Sequence, residues 1–135
     1  MRSLLLLIFL VGCSSQPEAP LSASDRETLA RTGEAHAHDV PVATPAATTP
    51  PVTAVTGRTI RYGEVGGVPV EGYLVRPKGA RDRLPVLIVI HEWWGLNDNV
   101  RDEAARLAAE GFVVLAVDLY AGKVATQPRD AMQLA

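Results

Sequence analysis

Two continuous apolar runs, Val86-Leu87-Ile88-Val89-Ile90 and Phe112-Val113-Val114-Leu115-Ala116-Val117, constrain the fold of this chain more than any other feature. Neither alternates as a strand with one wet face would, so each predicts a strand covered on both sides. Between them Val100, Ala104, Leu107 and Ala108 recur at helical spacing, with Arg101, Asp102, Glu103 and Arg106 on the opposite face. This pattern predicts a helix over about 99–110, with Gly111 placed to terminate it. A strand, a helix and a second strand in direct succession make a βαβ unit, whose two strands run parallel.

Upstream of this unit the pattern changes. Residues 59–62 and 68–76 are rich in β-branched and aromatic side chains and flank Gly66-Gly67, which predicts a hairpin closed by Pro77-Lys78-Gly79. The expected fold class is therefore α/β, with a mixed, mostly parallel sheet flanked by helices, over residues 58–135. Ligands of such sheets bind beyond the carboxyl ends of the parallel strands. His91-Glu92-Trp93-Trp94 and Asp118-Leu119-Tyr120 both fall there, which gathers a carboxylate, an imidazole and aromatic rings on one rim. A strand end also spares these ionisable groups the cost of full burial.

Structural roles are open to the same residues. Glu92 could pair with a nearby arginine, Trp93 and Trp94 could serve packing, and Asp118 could cap the following turn. A zinc site of the His-Glu-x-x-His type is excluded, because position 95 is Gly95 and the segment leaves a strand instead of lying on a helix. No Gly-x-Gly-x-x-Gly follows any strand, so no nucleotide or other cofactor is implied. With a net charge of −2 and no basic run, nucleic acid is not an expected partner.

The amino terminus has a different character. MRSLLLLIFLVGC joins a basic Arg2 to an apolar core from Leu4 to Val11, far short of the ~20 residues of a spanning helix, and so has the form of an export signal. Its ending, Leu10-Val11-Gly12-Cys13, resembles the lipobox of bacterial lipoproteins. That resemblance implies cleavage before Cys13, lipid attachment to its thiol, and export to the membrane of the bacterial cell envelope. Ser14 is similar to the residue that follows the cysteine in lipoproteins sorted to the outer membrane.

Residues 14–57 hold six prolines among Ala and Thr and few large apolar groups, which predicts a disordered tether. Within it Ser24 and Glu27 have the spacing of a helix capping box, so a short helix over about 25–35 is expected, with Leu29 its only large apolar residue. His36, His38 and Asp39 invite a metal reading, but in a mobile segment they form a weak site, and a solvated linker is the preferred reading.

The run GYLVRPKGARDRLPVLIVIHEWWGLNDNVRDEAARLAAEGFVVLAVDLYAGK carries a more specific likeness. With HEWWG, AAEGF and VDLYAGK in order, residues 58–135 resemble the amino-terminal half of the dienelactone hydrolase family, α/β-hydrolase enzymes that open lactones or related esters. By that resemblance Glu92 matches a glutamate beside the nucleophilic thiol, and Trp93 matches the residue whose backbone N–H forms part of the oxyanion hole. Trp94 and Tyr120 become expected pocket walls for a small ester or lactone. His91 is not the triad histidine, which follows the nucleophile and the acid in chain order.

The family's nucleophile sits in Gly-x-Cys-x-Gly, or in a serine equivalent, yet no serine follows Ser24 and no cysteine follows Cys13. The nucleophile, acid and histidine would all lie beyond residue 135. The chain is accordingly expected to be an inactive amino-terminal fragment whose last parallel strand lies along an exposed edge. The alternative from another class is a noncatalytic exported lipoprotein that uses the α/β scaffold, through Trp93-Trp94, as a binding module.

Overall fold

The computed structural model describes residues 20–135 except 44 and 82, so Cys13 and the export signal lie outside the described residues. The domain opens with β1 (Val55–Val65) and β2 (Val68–Pro77), paired antiparallel. Gly66 and Gly67 turn between them with φ of 57° and 82°, the left-handed conformation that a two-residue hairpin of this hand requires. The register shifts between Arg61 and Gly63, where a bulge adds twist to the ribbon. β1 starts at Val55, slightly before the expected boundary.

β3 (Val86–Ile90), α2 (Asp98–Ala109) and β4 (Val113–Val117) follow as the βαβ unit. Asn97 caps α2 by accepting a hydrogen bond from the Val100 N–H at 3.1 Å, and Asp98 adds negative charge where the helix dipole is positive. α3 (Pro128–Leu134) ends the described chain, with its proline in the first turn, where a missing N–H costs nothing.

The sheet order is β1-β2-β4-β3, so it is mixed as expected but, among the described residues, not mostly parallel: β3 and β4 are its parallel pair, while β1 with β2 and β2 with β4 run antiparallel because the hairpin joins the sheet through β2. One expectation needs correction. The strand at the open edge is β3 and not the last strand, β4, because the crossover through α2 inserts β4 between β2 and β3.

The core lies between one sheet face and α2. Val75, Val114 and Ala116 are buried there with Ala104, Ala108 and Leu96, and Leu87 and Val89 pack against them. A fully buried valine contributes about 1.5–3 kcal/mol over an exposed one, so Val75 and Val114 anchor this layer. The pleat sends Val86, Ile88 and Ile90 to the opposite face, where they remain 65%, 67% and 68% exposed. The apolar run of β3 is thus covered on one side only among the described residues.

In place of an unbroken tether, the segment before β1 holds α1 (Ala23–Ala35) and a 3-10 turn (Pro45–Thr48). The capping box of α1 is shifted from the one expected. Ser22 accepts from the Asp25 N–H, and Asp25 accepts from the Ser22 N–H, both at 3.2 Å, because the helix starts ahead of Ser24. α1 touches α3, with a Cβ built on Gly33 falling 2.8 Å from Met132 Sδ, and the 3-10 turn packs on α2. Among the described residues no helix is long and apolar enough to cross a membrane.

The two faces of β3 and β4 should respond differently to truncation. Urea denaturation is expected to show Val114→Ala losing about 2 kcal/mol, whereas Ile88→Ala stays within about 0.5 kcal/mol. Equal losses would mean that the exposed face is covered in solution.

Candidate active site

The loops that leave β3 and β4 meet at the carboxyl end of the parallel pair, and His91 joins them. Its imidazole is 8% exposed and lies between two backbone groups. The Leu119 N–H donates to Nε2 at 3.1 Å, which requires that nitrogen to be unprotonated. Nδ1 therefore carries the hydrogen and donates it to the Glu92 carbonyl at 2.6 Å. Tyr120 lies against the same ring, with centroids 4.6 Å apart. A histidine that closes an apolar strand is thus paid for by two hydrogen bonds, and it ties residues 28 positions apart.

Further contacts lock the loops. The Ala125 N–H donates to the Trp94 carbonyl at 2.9 Å, and the Gly95 N–H donates to the Glu92 carbonyl at 3.2 Å. Gly95 has a φ of 89°, and a Cβ there would meet the Lys123 carbonyl oxygen at 2.5 Å, so only glycine fits. Across the rim, the Asp118 carboxylate accepts from the Tyr120 N–H at 3.0 Å and from the Gly122 N–H at 2.6 Å, which makes it the cap of its own loop. Ala121, inside that loop, holds a φ of 51°, a conformation unfavourable for a residue with a Cβ.

With the loops fixed, Glu92 stands at the mouth of a cavity of about 350 Å³. Val40–Ala43, Ile90, Trp94, Asn97, Asn99 and Glu103 contribute to its walls. Glu92 is exposed, and none of the ion pairs among the described residues involves it. The arginine partner that a purely structural role would supply is therefore not present among them. Trp93 follows Glu92 in the chain, half-buried and not among the residues lining this cavity, with its ring 5.0 Å from that of Trp94.

The other expected site residues separate. Trp94 lines the cavity beside Glu92 but is only 6% exposed, because it packs with Ala125 and Ala131. Tyr120 rests on His91 and is not among the residues lining this cavity. His36 pairs with Asp39 at 2.7 Å, and among the described residues no group of three or more His, Cys, Asp or Glu side chains is placed to hold a metal ion. The sequence reading missed the approach of residues 36–43 to this rim, for which the local pattern carries no signal.

The mixed sheet with its loops gathered at the strand ends is an α/β arrangement of the expected kind. The Dienelactone hydrolase family model matches residues 70–135 of the chain. "Protein usf" of Aquifex pyrophilus is 47% identical over 81 residues, 58% of this chain and 33% of the relative. A protein of Aquifex aeolicus named "Putative carboxymethylenebutenolidase" is 45% identical over the same shares of the two chains. A solved structure, a dienelactone hydrolase-like promiscuous phosphotriesterase from metagenomic libraries, aligns with a TM-score of 0.49 and 32% identity, over 54% of this chain and 30% of that one. The chain spans about a third of the length of the relatives it matches.

The clasp at the rim should be measurable as stability. His91→Phe keeps the bulk but strands the Leu119 N–H, and thermal unfolding is expected to show a loss of about 1–3 kcal/mol. Gly95→Ala combines a left-handed φ with a backbone collision and should cost on the order of 2 kcal/mol or more. Wild-type stability in either variant would remove the clasp from the account of the site.

Proposed function

We propose that this chain supplies the strand-end half of an ester or lactone hydrolase site of the dienelactone hydrolase type. The observation that carries the reading is the Glu92 carboxylate, exposed, without an ion-pair partner among the described residues, and placed at a cavity beyond the carboxyl end of β3. In this reading Glu92 lies beside a cysteine or serine nucleophile and sets its protonation, as a carboxylate within hydrogen-bond reach does. The Trp93 backbone N–H donates to the oxyanion that develops as the nucleophile attacks the substrate carbonyl. Among the described residues no acceptor engages that N–H, which leaves it available.

In this reading the nucleophile elbow is supplied from outside residues 1–135, which hold neither Gly-x-Cys-x-Gly nor Gly-x-Ser-x-Gly. Cys13 carries a lipid that anchors the protein to the bacterial cell envelope, where its substrate is a small ester or lactone. The reading as a binding module through paired tryptophans has less support, because Trp94 is buried and only Trp93 has a partly open ring.

Two experiments test this function. A longer protein that continues this chain through a Gly-x-Cys-x-Gly elbow should hydrolyse a small lactone, and Glu92→Gln should lower kcat/KM by about 100-fold or more without unfolding it. Unchanged kcat/KM in Glu92→Gln would remove Glu92 from the chemistry. For the anchor, metabolic labelling with radioactive palmitate should mark the wild-type protein and be lost in Cys13→Ser; label retained in that variant would place the lipid elsewhere or nowhere.

A further inference from the structure

The segment before the sheet does not run clear of the rim. The His36 ring stands edge-on to Trp93 with centroids 5.6 Å apart, and its pairing with Asp39 holds it in place. Farther along, the Asn99 side-chain amide donates to the Pro41 carbonyl at 3.1 Å, joining the segment to the first turn of α2. The ends are fastened as well: α1 packs on α3 before this stretch, and the 3-10 turn packs on α2 after it. Residues 36–43 thus form a strap held at His36 and Pro41 and between two docked elements, with residues 40–43 lining the cavity beside Glu92.

The chemistry of the strap is uneven. Val40, Pro41, Val42 and Ala43 present apolar groups to the cavity, while Glu92, Asn97, Asn99 and Glu103 line it elsewhere with polar ones. Val40 and Val42 are both largely exposed although their stretch is held in place. Exposed valines on an ordered segment at a cavity mouth leave apolar surface available to a ligand. A volume of about 350 Å³ lies at the small end of the ~300–1,000 Å³ typical of ligand sites.

We propose that Val40 and Val42 are specificity-determining residues, forming an apolar wall that packs against the alkyl side of a small ester or lactone whose carbonyl faces Glu92. This inference rests on the hydrolase reading of the site and extends it to residues upstream of the family match. The strap holds the wall in register: the Asn99 bond and the His36 contact set how far the valines stand from Glu92. Substrate choice is then decided partly by a segment whose composition is that of a linker.

The test uses the full 135-residue chain and needs no turnover. Binding of γ-hexalactone, followed by ligand-observed saturation-transfer NMR, should weaken about tenfold in Val40→Asp and Val42→Asp, exposed positions where substitution leaves the fold intact. Asn99→Asp retains a residue suited to a helix first turn but removes the donor to Pro41, and should weaken binding about fivefold. Because Trp94 is buried, acrylamide quenching of the intrinsic fluorescence reports chiefly on Trp93; it should rise about twofold in His36→Ala and in Asn99→Asp as the strap lifts. Quenching unchanged in both variants overturns the docked strap. Lactone binding that is indifferent to both valines, or no lactone binding by the wild-type chain, overturns the wall, whereas the hydrolase reading stands or falls separately on Glu92→Gln in the longer protein.

Discussion

Everything at the functional end of this fold depends on one imidazole. His91 accepts from the Leu119 N–H and donates to the Glu92 carbonyl, joining the two loops that leave the parallel strands. Without that bridge the Leu119 N–H would lose its acceptor, at a cost of up to about 1–3 kcal/mol, and the Glu92 carbonyl would keep only the Gly95 N–H as donor. With it, the Glu92 side chain and the Trp93 amide are presented from a backbone whose direction is set from both sides. A site must be rigid to within a fraction of an ångström to act on a substrate, and here the rigidity comes from an imidazole held between two backbone groups.

The sheet beneath is built to bring those loops together. β4 is the most buried strand because it runs between β2 and β3 and meets α2 through Val114 and Ala116. Its position next to β3 makes the ends of the two strands neighbours, and Gly95 then lets the loop after β3 press against the Lys123 backbone. Core packing and site geometry are consequently one problem. The residues that bury apolar area also fix the spacing of the rim.

Much of this was legible in the residues. The hairpin around Gly66-Gly67, the parallel pair and α2 follow from local periodicity and turn chemistry, which act over a few residues and leave their pattern in the sequence. Less legible was the edge. A run such as Val86–Ile90 reads as covered on both faces, whereas Val86, Ile88 and Ile90 are largely exposed among the described residues. Hydrophobicity records what a strand is suited to pack against, not what stands there. The prolines and alanines before β1 likewise describe a segment poor in core residues, yet a hydrogen bond to Asn99 and a ring contact to Trp93 hold it against the domain.

By itself the sequence determined the α/β class, the strand-end placement of Glu92 and Trp93, and the likeness of residues 70–135 to the dienelactone hydrolase family. These depend on periodicity and on short motifs, which are properties of neighbouring residues. Only the tertiary structure decided that β4 lies inside β3, that His91 is a clasp, that Trp94 is buried while Trp93 is partly open, and that residues 40–43 reach the cavity. Each of those facts joins groups far apart in the chain, and such contacts are selected by the packing and hydrogen bonding of the whole fold, for which no local pattern is required.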